Sequence, residues 1–546
     1  MCTSKYHGLK SISKEIVILF EKEYPLVCLF DYGNDVLLYD AKPHFACVLS
    51  CNELEVLADF LQDIPEDRII MNYSSNFESG YLKQLLLKYH ELRSCGILLK
   101  GPINEISSVD RNDLKKQLQY FDENIMLRKF CLEVTEDCNF RCTYCQNTIS
   151  TEFRKHSKTN MTKEMAFKGI DYYFAKYTQL YSKLSDEKQE LLRQIAPPTL
   201  SWYGGEPFLQ FDLIKICVEY FKKLPWHNYR INTRDLVFVT NTNLSIMNNE
   251  ILEFLVKNNV FLYASLDGPE EEHNRCRVFE NGEGTFTQAY INLEKIKDFN
   301  KTYFKERVSI FGVYTDMHDR QKCFNFIRDI GSLDYRHFPA EYKGVFAAEL
   351  DQEYEAYSQF IGNDLREFKR TVATLSKKDD IFEDVGYFDN IGKFTKVTYE
   401  NPLGSNKLMA LLSCPMGFDN LMLAANGNYL ICHKTDGSMP IGNCVSGLDF
   451  ERVTDLYQKY NATVNNPECK NCWNVRFCEI CAVPRMSGGE FQNPTIKECD
   501  LFRLQSRYDF LCFIYLSLNH NDILQKIFDK WNDNKKRNSI IDISKF

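Results

Sequence analysis

Apolar and polar residues alternate along the middle of the chain in a pattern that predicts strands separated by helices. Six apolar-rich runs have strand character, and they begin at Phe130, Thr199, Leu236, Val260, Val308 and Leu333. Amphipathic helical patterns lie between them, for example from Thr162, with Glu164 in the first turn. Repeated strand–helix units predict a parallel sheet with right-handed crossovers. With six such units, we expect an α/β fold with an open, partial (β/α)6 barrel of TIM type over residues 126–345.

The residues before this barrel predict a smaller α+β module over residues 1–125. Two apolar runs flank a turn at Gly33–Asn34, which is a hairpin pattern, and a third run begins at Phe45. Ser50 is a candidate N-cap for the next helix, and a second helical pattern covers residues 80–92. Strands and short helices at this size predict a winged-helix-like binding module.

Beyond the barrel, the pattern predicts a linker, a cysteine-dense segment and a helical tail. The residues from Glu353 to Leu375 have the spacing of one amphipathic helix, within a helical linker that we place at residues 346–407. Residues 408–505 hold most of the clustered cysteines. Residues 506–546 form a mostly helical C-terminal pattern that ends in a charged run.

Length and charge restrict the classes of protein to which the chain can belong. Its 546 residues are too many for one ordinary domain, and 44% hydrophobic residues supply sizeable cores. The net charge of −9 argues against nucleic-acid binding, and the helix at residues 80–92 carries no stripe of Lys and Arg. The N-terminus lacks the apolar core of a signal peptide, and no apolar run is long enough to cross a bilayer. We therefore expect a cytoplasmic protein that binds neither nucleic acid nor membrane.

The 21 cysteines point to metal binding rather than to disulfides, because no export signal is present. The stretch CNFRCTYC places Cys138, Cys142 and Cys145 in a CxxxCxxC spacing. Three thiolates suit an iron–sulfur cluster, and a cubane held by three cysteines keeps one iron free for a substrate or cofactor. The alternative is a zinc site completed by a distant residue. Isolated cysteines such as Cys28 and Cys217 are interpreted as small buried hydrophobic residues.

Polar motifs fall at the ends of the first five predicted strands. In chain order they are CNFRCTYC, GGEP at residues 204–207, NTN at 241–243, SLDG at 265–268 and TD at 315–316. Active sites of α/β barrels gather at the carboxyl ends of their strands, so we expect these loops to converge on one mouth. Asp267 and His273 are candidate acid or base groups there, although Asp-Gly-Pro is also an ordinary turn.

A second set of cysteines lies towards the C-terminus. Cys414 is followed by Gly427 and, in GNYLIC, by Cys432. The stretch CKNCWNVRFCEIC then has a Cx2Cx5Cx2C spacing, and its cysteines together with the next one along the chain are Cys469, Cys472, Cys478, Cys481 and Cys499. Thiolates at this spacing suit iron–sulfur clusters or a zinc ribbon.

The three-cysteine loop and the GGEP motif together resemble the radical SAM superfamily. In that family CxxxCxxC binds a [4Fe–4S] cluster whose open iron chelates S-adenosyl-L-methionine, and one-electron reduction yields a 5′-deoxyadenosyl radical that abstracts a substrate hydrogen. The resemblance implies a set of cofactor-binding residues, namely Tyr144, Gly204, Gly205, Glu206, Asn241, Ser265 and Arg277. Glu206 would accept a hydrogen bond from the cofactor's ammonium group, and Ser265 and Arg277 would contact its ribose and carboxylate.

The second cysteine set resembles a SPASM domain, which implies two auxiliary [4Fe–4S] clusters and three clusters in all. By this resemblance, Cys414, Cys432 and Cys481 bind the inner auxiliary cluster. The distal cluster takes Cys469, Cys472, Cys478 and Cys499. The chain departs from the family pattern at Cys478–Cys481, where Cx2C replaces Cx3C. Either Cys444 completes the inner cluster or its fourth iron is open.

Within this superfamily the chain resembles the maturases of ribosomally synthesised peptides. The resemblance implies that the N-terminal module binds a precursor's leader by strand addition. The radical would then form a thioether or carbon–carbon crosslink, with an electron donor such as flavodoxin or ferredoxin.

Two alternatives to a peptide maturase stay open. One is an enzyme that matures a protein partner, such as an anaerobic sulfatase-maturating enzyme that forms formylglycine. Those enzymes carry a catalytic Asp after the Gx4C cysteine, whereas this chain has His433, with Asp436 close but out of register. His433 and Asp436 are therefore weak candidates for a catalytic base. The other alternative is a non-catalytic iron–sulfur or zinc sensor.

Overall fold

The computed structural model describes most of the chain. The described residues are 12–43, 45–102, 110–149, 154–315, 318–332, 334–339, 368–369, 372, 416–478 and 481–526. Three of the predictions above fall largely or wholly outside these residues. They concern the linker helix from Glu353 to Leu375, the thiol of Cys414 and the carboxylate of Asp316.

The N-terminal region contains a three-stranded antiparallel sheet with helices before and after it. Its elements are α1 (Lys14–Glu23), β1 (Val27–Tyr32), β2 (Asp35–Asp40), β3 (Phe45–Ser50), α2 (Cys51–Leu61), α3 (Glu66–Asn72) and α4 (Ser79–Ser94). Strand β2 pairs with β1 on one side and β3 on the other. The Ser50 side chain accepts from the Glu53 amide and Glu53 caps Ser50 in return, which confirms the predicted N-cap.

All six predicted strands of the central region are present and pair in parallel in chain order. The elements are α5 (Arg111–Asn124), β4 (Lys129–Thr135), α6 (Gln146–Ile149), α7 (Lys163–Tyr181), α8 (Asp186–Ile195), β5 (Thr199–Gly204), α9 (Phe211–Lys223), β6 (Val237–Thr242), α10 (Asn249–Lys257), β7 (Phe261–Ser265), α11 (Glu270–Cys276), α12 (Phe286–Phe299), α13 (Lys301–Arg307), β8 (Val308–Tyr314), α14 (Arg320–Arg328) and β9 (Asp334–Pro339). The prediction of repeated strand–helix units on an open parallel sheet is therefore confirmed.

The cysteine-rich region extends the central sheet, which the sequence did not predict. Its elements are β10 (Asn420–Leu423), β11 (Asn428–Leu430), β12 (Gly442–Asn443), β13 (Gly447–Leu448), α15 (Phe450–Val464), α16 (Pro467–Lys470), β14 (Met486–Ser487), β15 (Glu490–Phe491) and α17 (Ile496–Asn519). Strand β10 pairs in parallel with β4, with Met422 opposite Cys131. In the described residues the sheet has the order β13-β12-β11-β10-β4-β5-β6-β7-β8-β9. An edge strand has unpaired backbone groups, and β10 satisfies those of β4.

Helix α5 packs on the central sheet and not on the N-terminal module to which the sequence assigned it. Leu114 and Leu118 are buried in the core of the central region. Arg111 forms ion pairs with Glu451 at 2.8 Å and with Asp455 at 2.5 Å, both on α15. The apolar face of α5 is therefore buried by the following region, and the expected module boundary at residue 125 stays a prediction.

One face of the N-terminal sheet packs against the cysteine-rich region. The ring of Phe30 on β1 lies 5.3 Å from Trp473, and Tyr39 on β2 lies 4.9 Å from Phe510 on α17. Arg476 donates from Nε to the carbonyl of Ala41 at 2.5 Å. The apolar run at Phe510, which begins the predicted tail, thus forms part of this contact. None of the helices in the described ranges combines the length and the apolar character needed to span a membrane.

Candidate active site

The three-cysteine loop lies at the carboxyl end of β4, where the parallel strands of the sheet end. Cys142 is buried, and Cys138 and Cys145 are half-buried. Backbone hydrogen bonds hold the loop against the segment after α11, since Arg141 donates to Val278 at 2.7 Å and Thr143 to Cys276 at 2.9 Å. The loop is therefore fixed in place by the fourth strand unit of the sheet.

N–H donors point at two of the three sulfurs. The Phe140 amide and the side-chain amide of Asn243 lie 3.4 Å and 3.6 Å from the Cys138 sulfur, and Arg277 lies 4.0 Å from that of Cys142. Burial raises the pKa of the Cys138 thiol to about 12, and coordination to a metal ion lowers the pKa of a thiol. Hydrogen bonds to sulfur are typical of iron–sulfur sites. The loop fits an iron–sulfur cluster on these grounds.

The paired glycines of GGEP let the β5 loop pack directly on the backbone that leads into the cysteine loop. A Cβ at Gly204 would lie 2.3 Å from the carbonyl oxygen of Thr135, and one at Gly205 would lie 2.0 Å from that of Asp137. The Gly205 amide donates to Thr135 and the Glu206 amide to Asp137, each at 2.9 Å. The two glycines thus allow two loops of the protein to pack against each other. The sequence interpretation had assigned both glycines to cofactor binding.

Glu206 is fully buried, and its carboxylate joins the second strand loop to the third. It accepts from Thr242 Oγ1 at 2.9 Å, from the Asn243 amide at 2.7 Å and from the Phe208 amide at 3.1 Å. Burial raises the Glu206 pKa to about 7, and these donors oppose the shift. The three donors place the carboxylate in a structural role, and its predicted contact with the cofactor stays a prediction.

The NTN motif contributes Asn243 to the cysteine loop. Its side-chain amide donates to Asn139 Oδ1 at 3.0 Å as well as to Cys138. Asn241, which the resemblance singled out, is half-buried near the end of β6, where it pairs with Tyr263 of β7. The structure therefore places Asn243 against the three-cysteine loop, whereas the resemblance had singled out Asn241.

Arg277, Asp267 and Tyr144 form one buried network beside the cysteine loop. Arg277 Nε lies 2.9 Å from Asp267 Oδ2, to which the Tyr144 hydroxyl donates at 2.6 Å. The Val313 amide donates to Asp267 Oδ1 at 2.8 Å. Burial alone would raise the Asp267 pKa, but the charge of Arg277 brings it below its ordinary value. Ser265, at the end of β7, is half-buried nearby in the chain.

Asp267 and His273 are structural in this arrangement. Asp267 is ion-paired and fully buried. The His273 ring accepts the Asp267 amide at Nδ1 and contacts Thr285 through Nε2. Burial lowers the His273 pKa to about 3, so the ring is neutral. Both side chains hold the turn after β7.

A buried ion pair connects the inner face of the first strand to the cysteine-rich region. Glu133 on β4 lies 2.6 Å from Arg154, and both side chains are almost fully buried. Arg154 also donates to the carbonyls of His433 at 2.7 Å and Thr435 at 2.8 Å. The segment after Cys432 is thereby held against the interior of the sheet.

His433 and Asp436, the weak base candidates, have different surroundings. The His433 ring lies 4.7 Å from the ring of Tyr203, near the carboxyl end of β5, and burial lowers its pKa to about 3. Asp436 accepts from Ser438 at 2.6 Å and from the Gly488 amide at 3.1 Å, so it stabilises a turn. His433 is thus the candidate that reaches the strand ends.

Four cysteines of the second set line one cavity of about 260 Å³. They are Cys469, Cys472, Cys478 and Cys499, the set predicted for the distal cluster. Arg485 and Arg503 line the same cavity. Burial raises the pKa of the Cys469 thiol, and the two guanidinium charges oppose that shift. The cavity combines thiols with positive charge, which suits an anionic iron–sulfur cluster.

Cys432 and Cys481, the two cysteines predicted for the inner cluster that the structure describes, do not line this cavity. The charge of Cys481 raises the pKa of Cys432, after the larger effect of burial, so these two thiols are neighbours. The charge of Cys432 in turn raises the pKa of the Cys131 thiol on β4, after the larger effect of burial. The sequence interpretation had placed Cys131 among the isolated cysteines. The Cys444 sulfur lies beside Gly427, where an added Cβ would be 3.4 Å away.

In the part of the chain that the structure describes, no group of three or more His, Cys, Asp or Glu side chains is arranged to hold a metal ion. The ligand assignments stay predictions.

Comparison with known proteins finds a radical SAM domain in the central part of the chain. Residues 132–322 match the family model described as Radical SAM superfamily. Proteins of this superfamily use S-adenosyl-L-methionine and a [4Fe–4S] cluster.

Two curated relatives and one solved structure show how far the similarity extends. The radical SAM cyclopropyl synthase TigE of Paramaledivibacter caminithermalis is 22% identical over 477 residues, which covers 84% of this chain and 88% of the relative. A serine-type anaerobic sulfatase-maturating enzyme of Bacteroides thetaiotaomicron is 26% identical over 361 residues, covering 61% and 77%. The structure described as native anSMEcpe with bound AdoMet is 18% identical, covers 72% of this chain and 99% of that one, and has a TM-score of 0.48.

Sequence reasoning missed the charged groups around the thiols. A glutamate within the apolar run FCLEVT was the available signal for Glu133, because a charge inside a buried strand needs a partner. Arg154, its partner, and Arg485 stand in segments without a pattern of their own. Their positions depend on contacts between distant parts of the chain.

Proposed function

We propose that the protein is a radical SAM maturase of a ribosomally synthesised precursor peptide. The observation that carries this proposal is the continuous packing of three parts. The N-terminal sheet packs on the cysteine-rich region, and that region extends the sheet of the radical SAM domain through β10. This packing fixes the N-terminal module relative to the strand ends, so a peptide that it holds would be presented from a fixed position.

The residues of the strand ends have separate tasks in this proposal. When bound at Cys138, Cys142 and Cys145, the cluster and S-adenosyl-L-methionine supply the radical that abstracts a substrate hydrogen. Asn243 and Arg277 orient the sulfurs through N–H donors. Asp267 keeps Arg277 and Tyr144 in place, and the resemblance assigns Arg277 and Ser265 to the cofactor's carboxylate and ribose.

The auxiliary cysteines serve the electron balance of the reaction. Closing a crosslink removes two hydrogens from the peptide, of which one leaves as an atom and the other as a proton and an electron. Cys414, Cys432 and Cys481 would hold the inner cluster, and the four cavity cysteines the distal one. Clusters held there would supply sites that can take up the surplus electron, while a donor such as flavodoxin or ferredoxin would supply the electron that cleaves the cofactor.

The leader peptide is proposed to add as a strand beside β3. In the described residues β3 pairs only with β2, so its other edge is open, while one face of β1 and β2 is covered by Trp473 and Phe510. Val48 on β3 is 36% exposed. An open edge supplies backbone hydrogen bonds to an extended peptide, and side chains such as Val48 supply contacts.

A charge on β3 tests this leader site. Val48→Lys should weaken binding of a precursor peptide, encoded beside the enzyme, by about tenfold, because a charge opposes burial of the added strand. Val445→Lys is the matched control, since Val445 is 78% exposed and lies in the turn between β12 and β13. Fluorescence anisotropy of a labelled leader measures both. Equal affinities of the two variants for the leader would show that the leader does not bind at β3.

Mass spectrometry of the product tests the reaction itself. Incubation of the reduced enzyme with S-adenosyl-L-methionine and the precursor should lower the peptide mass by two hydrogens per bond formed. Alkylation with iodoacetamide then separates the two crosslinks, because a thioether consumes a peptide thiol and a carbon–carbon bond does not. The name cyclopropyl synthase, borne by a relative that covers 84% of the chain, denotes carbon–carbon bond formation and favours the second product.

Maturation of a protein partner is the second candidate. The sulfatase-maturating relative from Bacteroides thetaiotaomicron, 26% identical over 361 residues, favours it. The catalytic Asp expected for that activity is replaced by His433, whose ring lies against Tyr203. Formylglycine in a co-incubated sulfatase peptide, with an unmodified precursor, would select this candidate.

A further inference from the structure

The cavity lined by four thiols contains a buried positive charge without a hydrogen-bond acceptor. Arg485 follows Cys481 by four residues, and its side chain is 4% exposed. Its three guanidinium nitrogens are buried and have no acceptor among the described residues. The ring of Tyr460 lies 5.6 Å from the guanidinium carbon, which is within cation–π range, and the charge of Arg485 opposes the rise in the Tyr460 pKa that burial causes.

An arginine in these surroundings requires an acceptor. Burying a charged donor without a partner is strongly unfavourable, and a cation–π contact with an aromatic ring supplies no hydrogen-bond acceptor. Within the described ranges, the two acidic side chains beside the cavity do not accept from Arg485. Asp500 accepts from Arg503 at 2.8 Å, and Glu468 lies exposed on the cavity lining.

The second arginine of the cavity shows where the acceptor belongs. Arg503 Nε lies 3.5 Å from the Cys472 sulfur, while Asp500 balances its charge. Arg485 is different, because no carboxylate in the described residues is paired with it. Its charge is therefore available to a group held by the thiols.

We propose that Arg485 is the counter-charge and hydrogen-bond donor of the iron–sulfur cluster on Cys469, Cys472, Cys478 and Cys499, and that it raises the reduction potential of that cluster. The inference rests on the proposed function, which places a cluster there. Reduction makes the cluster more negative, and a buried cation with N–H groups directed at sulfur stabilises the reduced form. Arg485 would thereby favour transfer of an electron from the inner cluster to the distal one.

Redox titration of full-length variants tests this role. A Cys138→Ala, Cys142→Ala, Cys145→Ala background removes the cluster of the strand ends, so that only auxiliary signals are followed by EPR. Arg485→Met removes the charge at similar volume, and Arg485→Lys keeps the charge without the planar donors. Arg452→Met, at an exposed position on α15, is the matched control.

The Arg485→Met variant should keep its iron. At a fixed potential, the ratio of reduced to oxidised cluster should fall about tenfold for one auxiliary cluster. This corresponds to a reduction potential lower by about 59 mV for a one-electron couple. Arg485→Lys should show a smaller shift, and Arg452→Met none. An unchanged potential in Arg485→Met with full iron overturns the inference and leaves the proposed function standing. If Arg485→Met loses iron, iron retained in Arg485→Lys supports the inference, and loss from both variants makes the residue structural and overturns it. Zinc or no metal at the four thiols of the background protein contradicts the proposed function itself.

Discussion

Single residues at the strand ends are constrained by backbone contact and by buried charge. The closest contact is at Gly205, where any Cβ would lie 2.0 Å from the Asp137 carbonyl oxygen, next to Cys138. The cysteine loop can keep its position only if this residue has no side chain. The glycine pair was visible in the sequence, but the partner of the contact was not.

Gly205→Ala should displace the cysteine loop and reduce iron binding there. The added methyl group cannot be accommodated by rotation of a side chain, because its neighbour is backbone, so we expect a loss of about 2–4 kcal/mol in unfolding free energy. Gly80→Ala is the matched control, because no atom lies within 4 Å of its Cβ position on α4. Thermal unfolding and iron content measure both. Equal behaviour of the two variants would refute the loop contact.

Glu206 should make stability depend on pH between the ordinary glutamate pKa and neutrality. The pKa of Glu206 in the folded state is about 7, against 4.5 for an ordinary glutamate. Its contribution to the free energy of unfolding is therefore complete below about pH 4.5 and is lost as the pH rises through 7. The difference corresponds to roughly 3 kcal/mol at 1.36 kcal/mol per pKa unit. Relative to the wild type, Glu206→Gln should therefore gain stability from pH 5 to pH 8 in urea unfolding. The exposed Glu253→Gln serves as the control, and parallel pH profiles for wild type and Glu206→Gln would contradict the burial of this carboxylate.

At the scale of elements, the central strands follow directly from sequence periodicity, whereas the attachment of the cysteine-rich region does not. Alternation and length identified all six parallel strands, because each buries a nearly continuous apolar face. Strand β10 has only four residues, and its partner β4 is almost 300 positions earlier. A short strand is stabilised by the sheet that it joins, so local pattern could not predict it. The same reason explains why the sequence pattern did not predict the contact between α5 and α15.

Arg154 holds β4 to the segment after Cys432, so its replacement should strongly reduce the stability of the protein. Arg154→Met leaves Glu133 buried without its partner, and we expect a loss of about 3–5 kcal/mol in unfolding free energy. Lys158→Met removes a cation from the same loop whose side chain is 86% exposed, and it should cost at most about 1 kcal/mol. Chemical denaturation of both variants gives the comparison. A similar small loss in each would mean that the pair does not hold β4 to the segment after Cys432.

At the scale of the whole molecule, the sequence predicted the parts and their chemistry but not their contacts. The two cysteine sets were visible as spacings, and the four thiols expected to share a cluster do line one cavity. The packing of the N-terminal sheet on Trp473 and Phe510 was not visible, because apolar residues on both sides have the pattern of ordinary cores. In the proposed function that packing matters, because it fixes the N-terminal sheet against the cysteine-rich region, which in turn pairs with the central sheet through β10.

The central claim is that Cys138, Cys142 and Cys145 hold an iron–sulfur cluster that cleaves S-adenosyl-L-methionine. The direct test is the anaerobically purified protein, analysed for iron and then incubated with reductant and S-adenosyl-L-methionine. We expect about twelve iron atoms per chain, four per cluster, and formation of 5′-deoxyadenosine that is abolished by the three Cys→Ala substitutions. A protein that contains zinc and no iron in this loop, and that yields no 5′-deoxyadenosine, would contradict the account.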